Sequence, residues 1–442
     1  MLENKIDISN YLLKVEKKHD LLQWEINGVF VWELIRLKIY LLLQEKMADE
    51  SFGDFSRVST LKRIENQLKR IWRNAILRNP FLSRFKGDII IFESGRKYMI
   101  DDIYADIYTY FLCQDFRKQN ISFERFETNF KYDLNNEKSS KYHHIDGIKL
   151  ISKGISNFIK LVFSQNDIDL IKKIEKDICD HLEINIDLKE IITTEYKIFK
   201  SEKITYLKLL WLKLPKQIFL VNYSDYAALI SAAKDLNIET VELQHGLIIK
   251  EALTYHFPNS EENKMKYFPS KFYEWKDFKH NTGKLPLGKD YIISNPHNHL
   301  DYMKNKYRDV VRNSKTILVA SQPFHSEKIK EFILKNVPLM PDYQFYYKLH
   351  PMEFDHFFDS KLAKNLNRYD NLIILKNEES IYKLLKEAKY VIGIYSTTLF
   401  EAELFGCTPI ILSTENKYTS SLNDNGKSVT LNFSDNLLNS IN

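Results

Sequence analysis

Gln217-Ile-Phe-Leu-Val221 and Glu239-Thr-Val-Glu-Leu243, with a helical stretch at 225–236 between them, form a strand–helix–strand pattern. Both quoted segments are short apolar runs with the composition of buried strands. A strand, a helix and a second strand in this order are typical of a parallel sheet with helices packed against it. The sequence therefore predicts an α/β fold.

The alternation of predicted strands and helices resumes after residue 313. The predicted strands lie at 316–320, 345–349, 371–375, 390–394 and 409–412, and the predicted helices at 326–335, 378–388 and 398–405. A stretch rich in Pro, Gly and polar residues separates the two series and is typical of a domain junction. We predict two Rossmann-like domains, 1–290 and 310–442, joined by a linker at 291–309. The cleft between them is the expected ligand site.

The first predicted domain carries added helices at its N-terminal end. Its predicted helices lie at 8–47 with a turn at Asn27-Gly28, at 104–119, at 151–200 as two long helices, and at 201–213. Asp88-Ile-Ile-Ile-Phe-Glu93 is predicted to be its first buried strand.

Composition limits the compartment and the partners. The 442 residues carry a formal net charge of +5, which is too mild to indicate nucleic-acid binding by itself. Three cysteines lie far apart, so neither a disulfide framework nor a thiolate metal site is expected, and a reducing cytoplasm is the predicted compartment. No signal-peptide core and no apolar stretch of membrane-spanning length is present.

Residues 57–86 combine a basic cluster with an apolar stripe and contain a single acid, Glu65. Such a helix can lie on an anionic membrane surface. The same pattern is typical of an ordinary surface helix packed on the core, which we favour because such helices are common.

Three polar motifs occur at the ends of predicted strands, where open α/β sheets bind ligands. In the first, His245 follows a strand and precedes Gly246, so its ring can serve as a general base near neutral pH. Glu242 and Gln244 are positioned to orient that ring. The alternative is a histidine that only hydrogen-bonds across its loop.

The other two motifs suit an anion. Lys348 and His350 alternate onto one face of a strand end and could contact a phosphate. Ser396 and Thr397 would cap the following helix, whose free N–H groups form an anion site, with Glu401 one turn further on. A plain capping box explains Ser396 and Glu401 without any ligand. Ser321 is a weaker strand-end candidate.

The sequence lacks the motifs that mark several common classes of enzyme. No Gly-x-Gly-x-x-Gly follows a strand, and no phosphate-binding P-loop string occurs, so neither a nicotinamide or flavin cofactor nor a nucleoside triphosphatase is predicted. No His-Glu-x-x-His or Cys-x-x-Cys string indicates a metal. His297, His299 and Asp301 could bind one, but a polar loop between domains is the favoured interpretation.

The order of these motifs resembles that of bacterial GT-B glycosyltransferases of surface-polysaccharide assembly. The resemblance covers residues 215–415 and includes capsule and O-antigen transferases, teichoic-acid glycerophosphotransferases and bacterial sialyltransferases. It implies a GT-B fold, a nucleotide sugar as donor substrate, no cofactor, no metal, and a polysaccharide or lipid-linked acceptor. A lipid-linked acceptor would place this cytoplasmic protein peripherally at the inner membrane face.

The resemblance also implies roles for single residues. His245 would be the base, Lys348 and His350 would contact the donor phosphate, Ser396, Thr397 and Thr398 would bind the same phosphates, and Glu401 would hold the donor ribose. Acceptor contacts are expected in the first domain at Glu93, Arg96, Asp101 and Asp102. The alternatives are phosphoglycerol transfer, nucleotide-sugar epimerisation in the same cleft, and a non-catalytic GT-B scaffold.

Overall fold

The computed structural model describes residues 5–47, 78–84, 86–101, 103–127, 142–276, 278–413, 422 and 426–441. The helices are α1 (Lys5–Lys18), α2 (Val31–Met47), α3 (Tyr110–Lys118), α4 (Asp146–Ser156), α5 (Gln165–Leu182), α6 (Leu188–Lys213), α7 (Ala227–Asp235), α8 (Asn298–Lys306), α9 (Ser326–Asn336), α10 (Lys361–Leu366), α11 (Ile381–Glu387) and α12 (Thr397–Leu404). The strands are β1 (Glu25–Ile26), β2 (Val29–Phe30), β3 (Ile89–Phe92), β4 (Lys97–Ile100), β5 (Ile103–Asp106), β6 (Phe123–Glu127), β7 (Tyr142–His144), β8 (Gln217–Leu220), β9 (Glu239–Leu243), β10 (Lys271–Trp275), β11 (Ile292–Asn295), β12 (Asn313–Ala320), β13 (Gln344–Lys348), β14 (Leu372–Leu375), β15 (Ala388–Gly393), β16 (Thr408–Leu412) and β17 (Val429–Leu431).

Two parallel sheets organise the molecule, so the predicted α/β architecture is confirmed. The first sheet has seven strands in the order β11-β10-β9-β8-β3-β6-β7. The second has six strands in the order β14-β13-β12-β15-β16-β17. Every neighbouring pair in both sheets is parallel. The strand order reverses between β3 and β8 in the first sheet and between β12 and β15 in the second.

Side-chain alternation along β3 explains how the first sheet is covered on both faces. Ile90 and Phe92 belong to the large core formed with the N-terminal helices, whereas Ile89 and Ile91 pack with Cys113 and other residues on the α3 side. Because successive strand residues point to opposite faces, a wholly apolar strand is buried on both sides.

The helix predicted over 104–119 is wrong in its first part. Ile103–Asp106 instead pairs antiparallel with Lys97–Ile100 in a hairpin. The buried carboxylate of Asp106 accepts hydrogen bonds from the backbone N–H groups of Ser94, Gly95, Tyr108 and Thr109. These bonds fix a turn after β5, so the helix begins only at Tyr110.

The predicted helix boundary near residue 200 is also wrong, because α6 runs unbroken for 26 residues. The Asp187 carboxylate caps its start by accepting from the Glu190 N–H at 2.8 Å. No Gly or Pro interrupts the sequence, and the Ser201 hydroxyl donates within the helix to the Ile198 carbonyl at 2.8 Å.

The stretch predicted as a linker, 291–309, contains β11 and α8. Strand β11 is the edge of the first sheet, and Leu300 and Met303 of α8 pack in an apolar cluster with residues of the second domain. Leu247 and Ile249, which follow His245, join the same cluster. The interface between the domains is therefore an apolar contact built around the His-Gly loop and α8.

Candidate functional site

The loop after β9 and the start of α12 meet at one cavity between the two sheets. His245 follows β9, Ser321 follows β12, and Ser396 follows β15. Ser321 and Ser396 flank the reversal of strand order in the second sheet, the usual ligand crevice of an open α/β sheet. The side chain of Gln322 joins the two strand ends there, because its Oε1 accepts the N–H groups of Ile394 and Tyr395 at 3.1 Å each.

A buried tyrosine, Tyr255, contacts the imidazole of His245. The Tyr255 hydroxyl lies 3.2 Å from His245 Nδ1 and also bonds to the Glu242 carboxylate. Tyr255 and Glu242 are buried, and His245 is 25% exposed. Since Tyr255 occupies Nδ1, Nε2 is the ring nitrogen left for a substrate, and no residue that the structure describes hydrogen-bonds to it.

The protonation of this group follows from its burial. Burial raises the pKa of Glu242 to about 8, and its Oε2 has no hydrogen-bond partner among the described residues. Burial, followed by repulsion from Arg96, lowers the pKa of His245 to about 4. At neutral pH the imidazole is neutral, so it can accept a proton.

A second tyrosine fixes the backbone of the same loop. The Tyr108 hydroxyl donates to the His245 carbonyl oxygen at 2.8 Å, and Arg96 Nη1 donates to the Tyr108 oxygen at 2.9 Å. Gln244 has a different set of partners. Its amide contacts the Gly246 carbonyl, Asn281 and the Trp275 N–H, so it shapes the loop without touching the imidazole.

One cavity collects predicted residues from both domains. Arg96 and His245 of the first domain and Thr397 and Glu401 of the second line it together. Its remaining walls are Ile107, Tyr108, Leu247, Trp275, Phe278, His297, Leu300, Tyr382, Phe400 and Leu404. Burial raises the pKa of Glu401, while Arg96 across the cavity acts in the opposite direction. The cavity holds about 20 Å³, which is room for a water molecule but not for a nucleotide.

Lys348 is the last residue of β13, and its side chain contacts the loop after β14. Its ammonium donates to the backbone carbonyls of Lys376 and Glu379, the latter at 2.8 Å. Two of its three N–H groups are therefore used, and one remains for a ligand. Lys348 does not line the cavity around His245.

Ser321 and His350 are tied together through Glu353, a buried carboxylate that sequence reasoning missed. Glu353 accepts from the Ser321 hydroxyl at 2.9 Å and from the His350 N–H at 3.0 Å. The His350 ring in turn accepts the Met352 N–H at 3.2 Å. These local hydrogen bonds account for the polar side chains of Ser321 and His350 without any ligand.

The cap predicted at α12 is present. The Ser396 hydroxyl accepts the Thr398 N–H at 3.2 Å, and Thr397 opens the helix beside the cavity. Glu401 lies one turn further along the same helix, also on the cavity wall. The helix thus presents a hydroxyl, N-terminal amides and a carboxylate to the cleft.

The predicted acceptor residues lie in different surroundings. Arg96 lines the cavity, but Glu93 is buried in an ion pair with Arg125. Asp101 accepts from the Tyr302 hydroxyl at 2.8 Å. Asp102 lies outside the described residues, as does most of the basic segment 57–86.

Sequence reasoning missed the tyrosines Tyr108 and Tyr255. Tyr255 lies in an irregular stretch ten residues after His245, where no periodicity marks a position. Tyr108 was placed inside a predicted helix. Which hydroxyls lie buried near His245 depends on the fold. The sequence indicates these tyrosines only through its high tyrosine content, 26 residues.

A second cavity, of about 340 Å³, lies between α2 and α6. Glu33, Glu202 and Asp225 line it, whereas Arg36 and Lys38 on its wall hold other partners. Arg36 and Lys38 are already paired with carboxylates, so this cavity suits a phosphate less well than the interdomain one.

Neither a metal cluster nor a membrane span is found in the described part of the chain. No group of three His, Cys, Asp or Glu residues there is placed to hold a metal ion. No helix there is both long and apolar enough to cross a bilayer.

Comparisons with known proteins find only distant similarity. No protein family and no curated protein matches the sequence. UDP-GlcNAc 2-epimerase from Methanocaldococcus jannaschii is a similar solved structure, at 13% identity and a TM-score of 0.47, covering 78% of this chain and 89% of that one. The Neisseria meningitidis UDP-GlcNAc 2-epimerase bound to UDP-GlcNAc has 14% identity and a TM-score of 0.45, covering 78% and 87%. The glycosyltransferase of kitacinnamycin has 7% identity and a TM-score of 0.42, covering 78% and 86%.

At these identities the similarity concerns the fold alone. The two parallel sheets of the structure itself confirm the predicted α/β class.

Proposed function

We propose that the protein is a metal-independent glycosyltransferase, which moves a sugar from a nucleotide-activated donor to a hydroxyl of a surface-polysaccharide or lipid-linked acceptor. The observation that supports this most is the shared cavity. It joins a neutral histidine of the first domain to a helix N-terminus and a carboxylate of the second.

In this proposal His245 is the base. An acceptor oxygen attacks the anomeric carbon of the donor sugar, and the bond from that carbon to the donor phosphate oxygen breaks. The acceptor proton passes to His245 Nε2, and the nucleotide leaves with the bonding electrons. Tyr255 and Glu242 are positioning residues that hold the ring through Nδ1.

The leaving phosphate needs positive charge close to it. The first turn of α12 supplies N–H groups and the Thr397 hydroxyl, and the Arg96 guanidinium lines the opposite wall. Glu401 would hold the donor ribose, as the resemblance to GT-B transferases implies. Lys348 has one N–H left and would reach the phosphate only if its loop contacts shift.

The closed cavity requires a motion. A space of about 20 Å³ excludes any sugar nucleotide, so the domains have to separate before the donor enters. Closure over the bound donor would then bring His245 against the acceptor and exclude water.

Phosphorus NMR tests the reaction class. The protein is incubated with UDP-, GDP-, dTDP- and CMP-linked sugars and with CDP-glycerol, each with and without a simple glycoside acceptor. We expect one sugar nucleotide to release its nucleotide only when acceptor is present, with His245→Gln inactive. Release of CMP from CDP-glycerol would indicate phosphoglycerol transfer. A new sugar isomer with its nucleotide still attached would indicate an epimerase, and no turnover of any donor would indicate a scaffold. Each of these three results contradicts the proposal.

A further inference from the structure

The first domain carries an exposed apolar and basic surface away from the cleft. It is formed by α4, the loop 157–164 and the C-terminal half of α6, and we call it the α4–α6 surface. Its exposed apolar members are Leu150, Ile151, Phe158, Val162, Ile204, Trp211 and Leu214, and its exposed basic members are Lys149, Lys153, Lys160 and Lys208. We propose that this surface docks the protein on an anionic lipid bilayer.

The loop after α4 shows the pattern most clearly. Ile159, Leu161 and Phe163 pack against the core, so the residues between them point outward. Phe158 is 86% exposed and Val162 is 72% exposed, with Lys160 between them. A loop that served only the core would have no use for these two outward apolar side chains.

Helix α6 also carries exposed apolar and basic residues. Ile204, Lys208 and Trp211 are exposed and recur at helical spacing, which places them on one stripe. A hydrogen bond of 2.9 Å between the Ser152 and Thr205 hydroxyls joins α4 to this part of α6. The two residues that precede that pair in sequence, Ile151 and Ile204, are both exposed.

The charge of the α4–α6 surface indicates which kind of partner it binds, a bilayer or a protein. Segments 147–163 and 203–216 contain seven lysines and no Asp or Glu. Lys203, Lys213 and Lys216 have carboxylate partners elsewhere in the domain. The four basic members of the α4–α6 surface form no ion pair with the described residues, although the Lys149 ammonium acts electrostatically on the Glu202 and Asp225 carboxyls.

Interleaved Lys, Trp and Phe side chains match the interface of an anionic membrane. Aromatic and aliphatic side chains enter the headgroup region, while lysine ammonium groups contact anionic lipid heads. A protein partner of this composition would need a strongly acidic face with apolar pockets. The bilayer satisfies both requirements with one partner, and docking there does not depend on the proposed reaction.

Vesicle co-sedimentation tests the proposal with the full chain. We expect binding to phosphatidylcholine vesicles that contain phosphatidylglycerol, little binding to phosphatidylcholine alone, and weakening by salt. Phe158→Ser/Val162→Ser and, separately, Lys153→Glu/Lys160→Glu should each lower the partition coefficient about tenfold or more. Trp211 fluorescence should shift to the blue on binding, and the shift should disappear in Trp211→Phe.

Matched control variants distinguish binding through the α4–α6 surface from nonspecific binding to vesicles. Val311 is 82% exposed, and Lys361 and Lys364 are exposed on α10 of the second domain. Val311→Ser and Lys361→Glu/Lys364→Glu should bind vesicles as the unaltered protein does. Equal binding by the surface variants, or no binding to anionic vesicles at all, overturns the proposal. Self-association that Phe158→Ser/Val162→Ser abolishes, without vesicle binding, would instead make this surface a contact between copies.

Discussion

At the scale of single residues, Tyr255 connects the two titratable groups of the candidate site. Its hydroxyl lies between the buried Glu242 carboxyl and His245 Nδ1, which leaves Nε2 for the substrate. The pKa of His245, lowered to about 4, keeps the ring neutral over the physiological range. The base is therefore available without a pH change, and its orientation depends on one hydroxyl.

Tyr255→Phe should lower kcat and leave KM nearly unchanged. The ring packing stays, but His245 loses its partner at Nδ1 and can rotate or change tautomer. We expect a smaller loss than the about 10²–10⁴-fold loss typical of removing a general base, as in His245→Ala. The measurement is a pH–rate profile with the donor found by NMR. Tyr226→Phe, at another buried tyrosine of the first domain, is the control, and an equal loss there would contradict this role.

Glu242→Gln should change how stability depends on pH. The pKa of Glu242 is raised from about 4.5 to about 8, so between these values the folded protein keeps a proton that the unfolded chain releases. Stability from this group therefore falls as pH rises through that window, by up to about 1.4 kcal/mol per pH unit. Gln carries no charge in either state, so the free energy of unfolding of the variant minus that of the wild type should increase from pH 5 to pH 7.5.

Urea unfolding at the two pH values measures this difference. The exposed Glu331 gives a matched control, since Glu331→Gln removes a carboxylate that solvent already hydrates. A constant difference between Glu242→Gln and the wild type across the window would contradict a buried, protonated Glu242.

At the scale of elements, the strand ends were predictable and their partners were not. The apolar runs before His245, Lys348 and Ser396 indicated strands in the sequence, and the polar residues after them follow from that position. The hairpin β4–β5 was missed because Asp106 imposes a turn through side-chain bonds that periodicity does not encode. The contacts of Lys348 were missed because they are backbone carbonyls far along the chain.

Lys348→Met should destabilise the second domain more than Lys383→Met does. Lys348 is half-buried and holds the loop after β14 through two carbonyls, and a hydrogen bond to a charged group is typically worth about 1.5–3 kcal/mol. Lys383 only pairs with Glu379 on the surface, which is worth about 0–1 kcal/mol. Urea unfolding of both variants gives the comparison. Equal losses of unfolding free energy in the two variants would mean that the Lys348 contacts contribute little to stability. The Lys348 ammonium would then be free to bind a phosphate.

At the scale of the whole molecule, the two domains are closed on one another. The Tyr98 hydroxyl bonds to Ser380, and His280 Nε2 lies 2.8 Å from the Glu403 carboxylate across the interface. Together with the apolar cluster around α8, these contacts leave about 20 Å³ in the cavity beside His245. In the proposed reaction the domains therefore have to separate before a donor can bind beside His245.

Locking the closed arrangement should abolish nucleotide binding. Tyr98→Cys/Ser380→Cys, made in a Cys179→Ser background because Cys113 and Cys407 are buried, can be joined by a short bismaleimide. We expect the linked protein to lose the rise in Tm that a nucleotide gives, while the unlinked variant keeps it. An unchanged rise after linking would mean that the nucleotide binds outside the closed cleft.

The most direct test of the central claim is nucleotide binding in the cavity shared by His245, Thr397 and Glu401. Thermal melting is measured with cytidine, uridine, guanosine and thymidine mono- and diphosphates for the wild type, Arg96→Met, Glu401→Gln and the distant control Lys361→Glu. A ligand that binds only the folded state raises Tm. We expect one base to raise Tm in the wild type and the control, and we expect both cavity variants to lose the rise. No rise with any nucleotide, or a rise that survives in both cavity variants, would contradict it.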